Sequence, residues 1–272
     1  MELSDSITEQ LRSNAQVVAH SQQTVPLAGG VQGIRVYVAD DPGGIPDRIE
    51  GLPVEVEVVG RNEFQRATGG MQLRVNPRQK TRPVIGGVSV GGTDTGTLGY
   101  FVHVDGHLSL MTAAHVLGGV GGEAIQPGPD DGGTGADRVA TVVRTVDNPA
   151  EGVDAAAARL DSGIKHELKL NDIGKVTGTA TVIAQQTVRK SGRTSGVTSA
   201  KVHEIDVAVQ YDGVWYQHQI VVHRFSEGGD SGSLVVDASD QAIGLVMGAN
   251  ATYSHVNPIG RVLQQLNATL AV

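Results

Sequence analysis

Gly228-Gly229-Asp230-Ser231-Gly232-Ser233 is the stretch on which the reading of this chain turns. Gly228, Gly229 and Gly232 free the backbone for conformations that side chains forbid, so the stretch can close a tight turn exposing the Ser231 hydroxyl. Such a turn can also aim the N–H groups of Gly229 and Ser231 at one point, which is what a carbonyl oxygen requires as it gains charge. A serine hydroxyl is a weak nucleophile until a base takes its proton. A base stands upstream: Leu108-Ser109-Leu110-Met111-Thr112-Ala113-Ala114-His115 runs an apolar strand into small residues and ends on a histidine.

Together the two motifs resemble the chymotrypsin-like (trypsin-like) serine peptidases, in which a Thr-Ala-Ala-His segment supplies the general base and a Gly-Asp-Ser-Gly segment the nucleophile. The matching positions are His115 and Ser231. The order of histidine before serine also fits that family, whereas α/β-hydrolases and subtilisins run in other orders. The resemblance spans roughly residues 84–272. It implies an all-β fold of two six-stranded antiparallel β-barrels with a C-terminal helix, and a serine endopeptidase that needs no cofactor and no metal. Gly229 and Ser231 are then the oxyanion hole.

The third member of the triad should lie between the other two. In the family it opens an Asp-x-Ala segment, and Asp154-Ala155-Ala156 fits. The chemistry asks for a carboxylate that fixes the imidazole tautomer, with small neighbours that let it approach closely. Asp161 is the next candidate and Asp147 the third. By the same resemblance Phe225, six residues before the nucleophile, lies at the base of the specificity pocket, with Met247, Gly248 and Ala249 as the opposite wall and Tyr253 nearby. Such a pocket is expected to prefer an apolar or small side chain. His255 is expected to point away from it.

Composition is consistent with this reading. With 37 glycines, 10 prolines and many Val, Thr and Ala residues, the chain favours short strands and turns. A formal charge of −8 without a basic patch argues against a nucleic-acid partner. The absence of cysteine excludes disulfides, thiolate metal sites and a cysteine nucleophile; Val116 stands where many secreted relatives carry a cysteine. Residues 1–10 show neither a basic region nor an apolar run, and no stretch is long and apolar enough to span a membrane. A cytoplasmic protein acting on a protein or peptide substrate is the expectation.

Residues 3–21 carry Leu3, Ile7, Leu11, Val17 and Val18 on one helical stripe. Gly33–Ala39 and Pro53–Val59 alternate as strands, so residues 1–65 read as a small α+β helix-plus-hairpin region with one wet strand face. Residues 66–83, with Arg66, Arg74, Arg78, Lys80 and Arg82, read as a basic linker, and residues 1–83 as the place where a regulatory partner would act. Val84-Ile85-Gly86-Gly87-Val88 is similar to the N-terminus freed in activated trypsins, where it pairs with the aspartate beside the nucleophile, here Asp230. Pro83 disfavours such cleavage, and a first barrel strand is the expectation. Asp105-Gly106 marks a hairpin, residues 118–137 a surface loop, and Val188–Thr198 a hairpin opening the second barrel. Strands are expected at 139–146, 200–205, 207–211, 217–222, 233–237 and 242–248, and a closing helix at Ile259–Leu270. His103 and His107 flank a turn without a carboxylate cluster to complete a metal site. His218 and His223 fall five apart on one strand, on opposite faces.

A binding or scaffold module on a peptidase fold is the competing function. A third reading is a peptidase held inactive by its N-terminal region until a partner binds.

Overall fold

The computed structural model describes residues 1–64 and 76–272. The beginning of the expected linker, with Arg66 and Arg74, lies outside the described residues. The chain opens with α1 (Asp5–Ser13), capped by Ser4, whose Oγ accepts from the Ile7 N–H at 3.2 Å. It is shorter than the expected helix. The backbone turns extended at Asn14, and the β-branched pair Val17-Val18 enters β1 (Val17–Ser21), which is paired on both edges.

β1 lies antiparallel to β2 (Gln32–Val38), and β3 (Leu52–Val58) lies parallel to β2, from Ile34 opposite Val54 to Val38 opposite Val58. The two alternating strands are therefore not a hairpin. Parallel strands need a crossover, and residues 39–51 supply it. Nor is the second face of β3 simply wet: Glu55 pairs with Arg35 at 3.0 Å, and Glu57 accepts from the Tyr253 hydroxyl at 2.6 Å. The two-residue β4 (Glu63–Phe64) follows.

The first barrel contains β5 (Val84–Gly86), β6 (Ser89–Gly91), β7 (Thr95–Thr97), β8 (Tyr100–Val104), β9 (His107–Thr112), the one-turn α2 (Ala114–Leu117), β10 (Glu123–Ile125), β11 (Arg138–Asn148) and β12 (Val153–Leu160). Val84 is fully buried and its N–H bonds the Lys165 carbonyl, so this stretch enters as a strand, in parallel with β13 (His166–Leu170). Asp105 and Gly106 take the positive φ angles of 49° and 76° that their hairpin requires. The stretch expected as a surface loop contains β10, which pairs with β6 and β11 and buries Ala124.

The second barrel is formed by β14 (Thr187–Gly192), β15 (Gly196–Tyr211), β16 (Val214–His223), β17 (Leu234–Val236), β18 (Gln241–Ala249) and β19 (Tyr253–Pro258), in the order β14-β17-β18-β19-β16-β15. Pairing of β14 with β15 closes it at six strands, and Val188–Thr198 is the expected hairpin. α3 (Ile259–Leu266) stops at Asn267, whose φ of 47° is left-handed. Leu270, expected on the helix, lies instead on β20 (Ala268–Leu270), which adds to β8. The first sheet thus runs β20-β8-β9-β12-β11-β10-β6-β7, with the three-residue β20 and β7 at its ends.

The second barrel's sheet continues past β15 into β1, β2 and β3. Val18, Ala19 and Tyr37 share a core with Val207, Val209, Tyr211 and Met247, so the N-terminal strands bury apolar surface of the second barrel as well as extending its ladder. Among the described residues no helix is long and apolar enough to cross a membrane.

Candidate active site

Ser231 sits in a turn whose three preceding carbonyls are each held by a hydroxyl. Gly228 O accepts from the Thr194 hydroxyl at 2.6 Å, Gly229 O from the Thr97 hydroxyl at 2.8 Å, and Asp230 O from the Ser233 hydroxyl at 2.6 Å. In a trans peptide the N–H opposes the C=O, so the Gly229 and Ser231 amides face away from those donors. Gly229 and Gly232 adopt φ of 94° and 84°. A Cβ on Gly232 would lie inside the Thr112 hydroxyl and 2.8 Å from Ala113 N, so the serine turn and the segment before His115 pack backbone to backbone. The Ser231 hydroxyl donates to Met247 O at 3.2 Å.

His115 lies on α2, at the end of the β9 strand, as the apolar run into small residues implied. Its Nδ1 is 2.5 Å from Asp154 Oδ2, and its backbone N–H donates to Asp154 Oδ1 at 3.1 Å. Both oxygens of Asp154 are thereby committed to one residue, which fixes the ring's orientation and places the proton on Nδ1. Ala155–Ala158 are fully buried, and Asn257 donates to Asp154 O at 3.1 Å. The other candidates are elsewhere engaged: Asp161 accepts from Arg138 at 2.8 Å, and Asp147 from the Tyr216 hydroxyl at 2.7 Å.

Asp230 is fully buried, and sequence reasoning missed its partner. Lys190 Nζ, equally buried, lies 2.9 Å away, and the N–H groups of Thr194, Ser195 and Glu227 donate to the same carboxylate. Burial alone would raise this carboxyl, but the Lys190 ammonium, the Ser195 hydroxyl and the Glu227 amide together hold it below the usual range. The hairpin that reads as structural thus carries the charge that the activated-trypsin comparison assigned to a freed N-terminus. Arg193, on the same hairpin, forks onto Asp131 with both bonds at 2.6 Å.

The residues expected to line a specificity pocket do not gather around one cleft. Phe225 packs in the core of the second barrel with Val202, Ile220 and Val235, and Met247 and Tyr253 are buried in the core shared with the N-terminal strands. Gly248 is covered by β4, and only Ala249 of the expected wall lines the cleft beside the turn. That cleft, of about 600 Å³, is mixed rather than apolar: Arg224, Glu227 and Asn250 line it together with Phe64 and Ala251, and Arg224 pairs with Glu227 at 2.8 Å. Aromatic side chains at the positions counted from the nucleophile were drawn into the barrel interior because that is where their area is removed from water. His255 does point away, into the interior, where it takes the Tyr211 hydroxyl at Nδ1.

The fold has counterparts among solved structures. A Nocardiopsis protease (NAPase) superposes with TM-score 0.57 at 21% identity, covering 70% of this chain and 99% of its own. Cellulomonas bogoriensis chymotrypsin gives 0.54 at 21%, covering 69% and 98%. A glutamic acid-specific serine protease that uses a histidine triad in substrate binding gives 0.56 at 22%, covering 69% and 100%. The chain has the chymotrypsin-like fold. No protein-family model and no curated protein sequence matches it. Within this chymotrypsin-like fold His115, Asp154 and Ser231 occupy the seam between the two barrels, with His115 and Asp154 on the first and Ser231 on the second. Among the described residues the N-terminal strands join the second barrel's sheet through β1 with β15 and through β4 with β18.

His103 and His107 are exposed at their hairpin turn, and among the described residues no group of three His, Cys, Asp or Glu side chains gathers as a metal site. His218 binds Asp206 at 2.6 Å, whereas His223 packs beside His203 and Tyr253.

Burial lowers three histidines, His203 to about 4 among them, and the two most deeply buried give this fold the larger part of its acid sensitivity. Burial lowers His20 to about 4 and His255 to about 3. Both stay neutral in the native state while the unfolded chain takes up protons below about pH 6.5, so stability falls as the pH drops. At pH 5 each group is expected to cost about 2 kcal/mol relative to pH 7.5. Asp230 adds nothing in that window, because its depressed carboxyl is lost only further down in acid. Urea unfolding at pH 7.5 and pH 5 checks this, and equal midpoints would refute it; His20→Gln should flatten the dependence.

Proposed function

We propose that this chain is a serine endopeptidase that forms an acyl-enzyme on Ser231. The observation that carries the reading is the His115–Asp154 pair at 2.5 Å, set on the segment packed against the Ser231 turn. His115 Nε2 takes the Ser231 proton as Oγ attacks a peptide carbonyl carbon, and the Gly229 and Ser231 amides receive the oxyanion. Asp154 holds the Nδ1 proton and stabilises the imidazolium. The C–N bond breaks as His115 passes its proton to the departing amine, and a water activated by the same histidine then hydrolyses the ester. No cofactor is required, and the substrate is a protein or peptide. Fluorophosphonate labelling, read by peptide mapping, tests this without knowledge of the substrate. A chain that stays unlabelled both as the wild type and with its N-terminal strand displaced would favour the scaffold reading.

A specific contact supports the further reading that residues 1–83 restrain the enzyme until a partner moves them. β4 pairs antiparallel with β18, Phe64 opposite Gly248 and Glu63 opposite Ala249, and the Phe64 ring lies 4.9 Å from the His115 ring. Deletion of the region is a poor test, because β1 shields Val207 and Val209. Phe64→Ala in the full-length chain is better. It is expected to accelerate fluorophosphonate labelling by about threefold to tenfold, since full burial of a Phe is worth roughly 1.5–3 kcal/mol and Phe64 is half-buried. An unchanged rate would remove the restraint from the account.

A further inference from the structure

The larger sheet ends at β3, and that end is left open. Arg48 and Ile49 pair only with Pro53 and Leu52, so among the described residues no strand runs beside residues 54–58 on the side away from β2. Two bonds give the direction of the free groups. Val59 N–H reaches Val38 O at 2.9 Å at the end of β2, whereas Val54 N–H reaches Asp47 O at 2.9 Å on the other side. Successive residues of a strand present N–H and C=O to opposite sides, so Val56 and Val58 point theirs outward as Val54 does. Among the described residues neither has a main-chain partner there.

A bare edge is a template for another strand, and folded chains blunt it by shortness, bulges, proline or lysine. The three-residue β20 and β7 end the first sheet in the first of these ways. β3 uses none of them beyond its covered start: it has seven residues, pairs with β2 without a shift of register, and carries no lysine and no proline after Pro53.

Its two faces differ in chemistry. Val54 and Val56 pack into the core that Ile7 and Leu11 of α1 share with β2, and Val58 is 52% exposed. On the other face stand Glu55 and Glu57, with side chains 37% and 34% exposed. Arg35 takes only Oε2 of Glu55, and the Tyr253 hydroxyl only Oε1 of Glu57. His203, 3.8 Å from Glu57 Oε2, is held neutral by burial. One oxygen of each carboxylate is left for a cation arriving along the edge.

We infer that the free edge of β3 docks an extended segment of a partner protein in which Lys or Arg alternates with aliphatic residues. Main-chain bonds to Val56 and Val58 add the segment as a further strand; its cations meet Glu55 and Glu57, and its aliphatic side chains continue the valine face. A second copy of this chain is the wrong occupant. Pairing antiparallel about Val56, it bonds through the same outward valines and sets Glu55 against Glu57 of the other copy, and like charges directly opposite work against pairing. The inference does not rest on the peptidase reading. It gives the region described as a restraint a place for a partner to take hold, since the chain runs from β3 through Asn62 to Phe64.

The test uses the full-length Ser231→Ala chain, which spares the probe from hydrolysis. By fluorescence anisotropy, a labelled peptide Lys-Val-Lys-Val-Lys is expected to bind at least about tenfold more tightly than Glu-Val-Glu-Val-Glu, as two reversed cross-strand charge pairs imply. The lysine peptide N-methylated on alternate amides should lose that binding. Val56→Pro deletes an outward donor while leaving the ladder to β2 intact, and should weaken binding by about tenfold. Equal binding of the two charge patterns overturns the inference. So does binding that survives both N-methylation and Val56→Pro, because a negative surface alone then accounts for it. Dimers of the unmixed chain that Val56→Pro dissolves would put a second copy on the edge and overturn the basic partner.

Discussion

Ser231→Ala is expected to abolish fluorophosphonate labelling and to lower hydrolysis of a cleavable peptide by about a millionfold, because it removes the atom that forms the covalent bond. His115→Ala should cost about as much, and the double variant little more, since nucleophile and base act as one unit. Asp154→Asn is informative for a different reason. An amide at that position can still bond the ring but presents N–H where the His115 Nδ1 proton now points, so the imidazole turns to the wrong tautomer; a loss of about 10⁴-fold in kcat is the expected result. Steady-state kinetics on the Phe64→Ala background, where the strand has been weakened, gives the clearest reading. Activity that survives Ser231→Ala would end the peptidase proposal, and a harmless Asp154→Asn would end the assigned role of that carboxylate.

The second large effect is on stability. Lys190→Met is expected to destabilise the chain by about 3–5 kcal/mol, because it leaves the Asp230 carboxylate buried beside amides that cannot neutralise it. Asp230 also gathers the Thr194, Ser195 and Glu227 amides, so the loss should loosen the Ser231 turn and slow labelling in protein that remains folded. Lys190→Met with Asp230→Asn should recover part of the loss, since no charge is then stranded. Lys80→Met serves as the control: its pair with Asp137 is at the surface, Lys80 being 56% exposed, and the unfolding midpoint should not move. A midpoint for Lys190→Met equal to that of wild type would mean that the buried pair is not what holds the turn.

The parts of the site that were legible in the sequence were those whose chemistry is local. A glycine-rich turn around Ser231, a strand ending in small residues before His115, and an aspartate followed by alanines each state their role within a few neighbours. Lys190 was not legible, because it lies in a hairpin 40 residues before its partner, and only barrel closure brings the two together. The placement of Phe225 was not legible for a related reason. Counting back from Ser231 locates Phe225 along the chain but not the direction of its side chain, and the barrel interior claimed it.

The amino-acid sequence by itself determined the fold class, and it singled out Ser231 and His115 as the candidate nucleophile and base. Turn chemistry, strand alternation and motif spacing are all short-range, and they act before any tertiary contact forms. Only the tertiary structure decided that Lys190 neutralises Asp230, and that Phe64 lies over the histidine from an N-terminal region that continues the second barrel's sheet. Each of these is a long-range pairing. Which of several equivalent partners is chosen depends on ladder register and on which surfaces are buried together, and that information exists only once the barrels have closed.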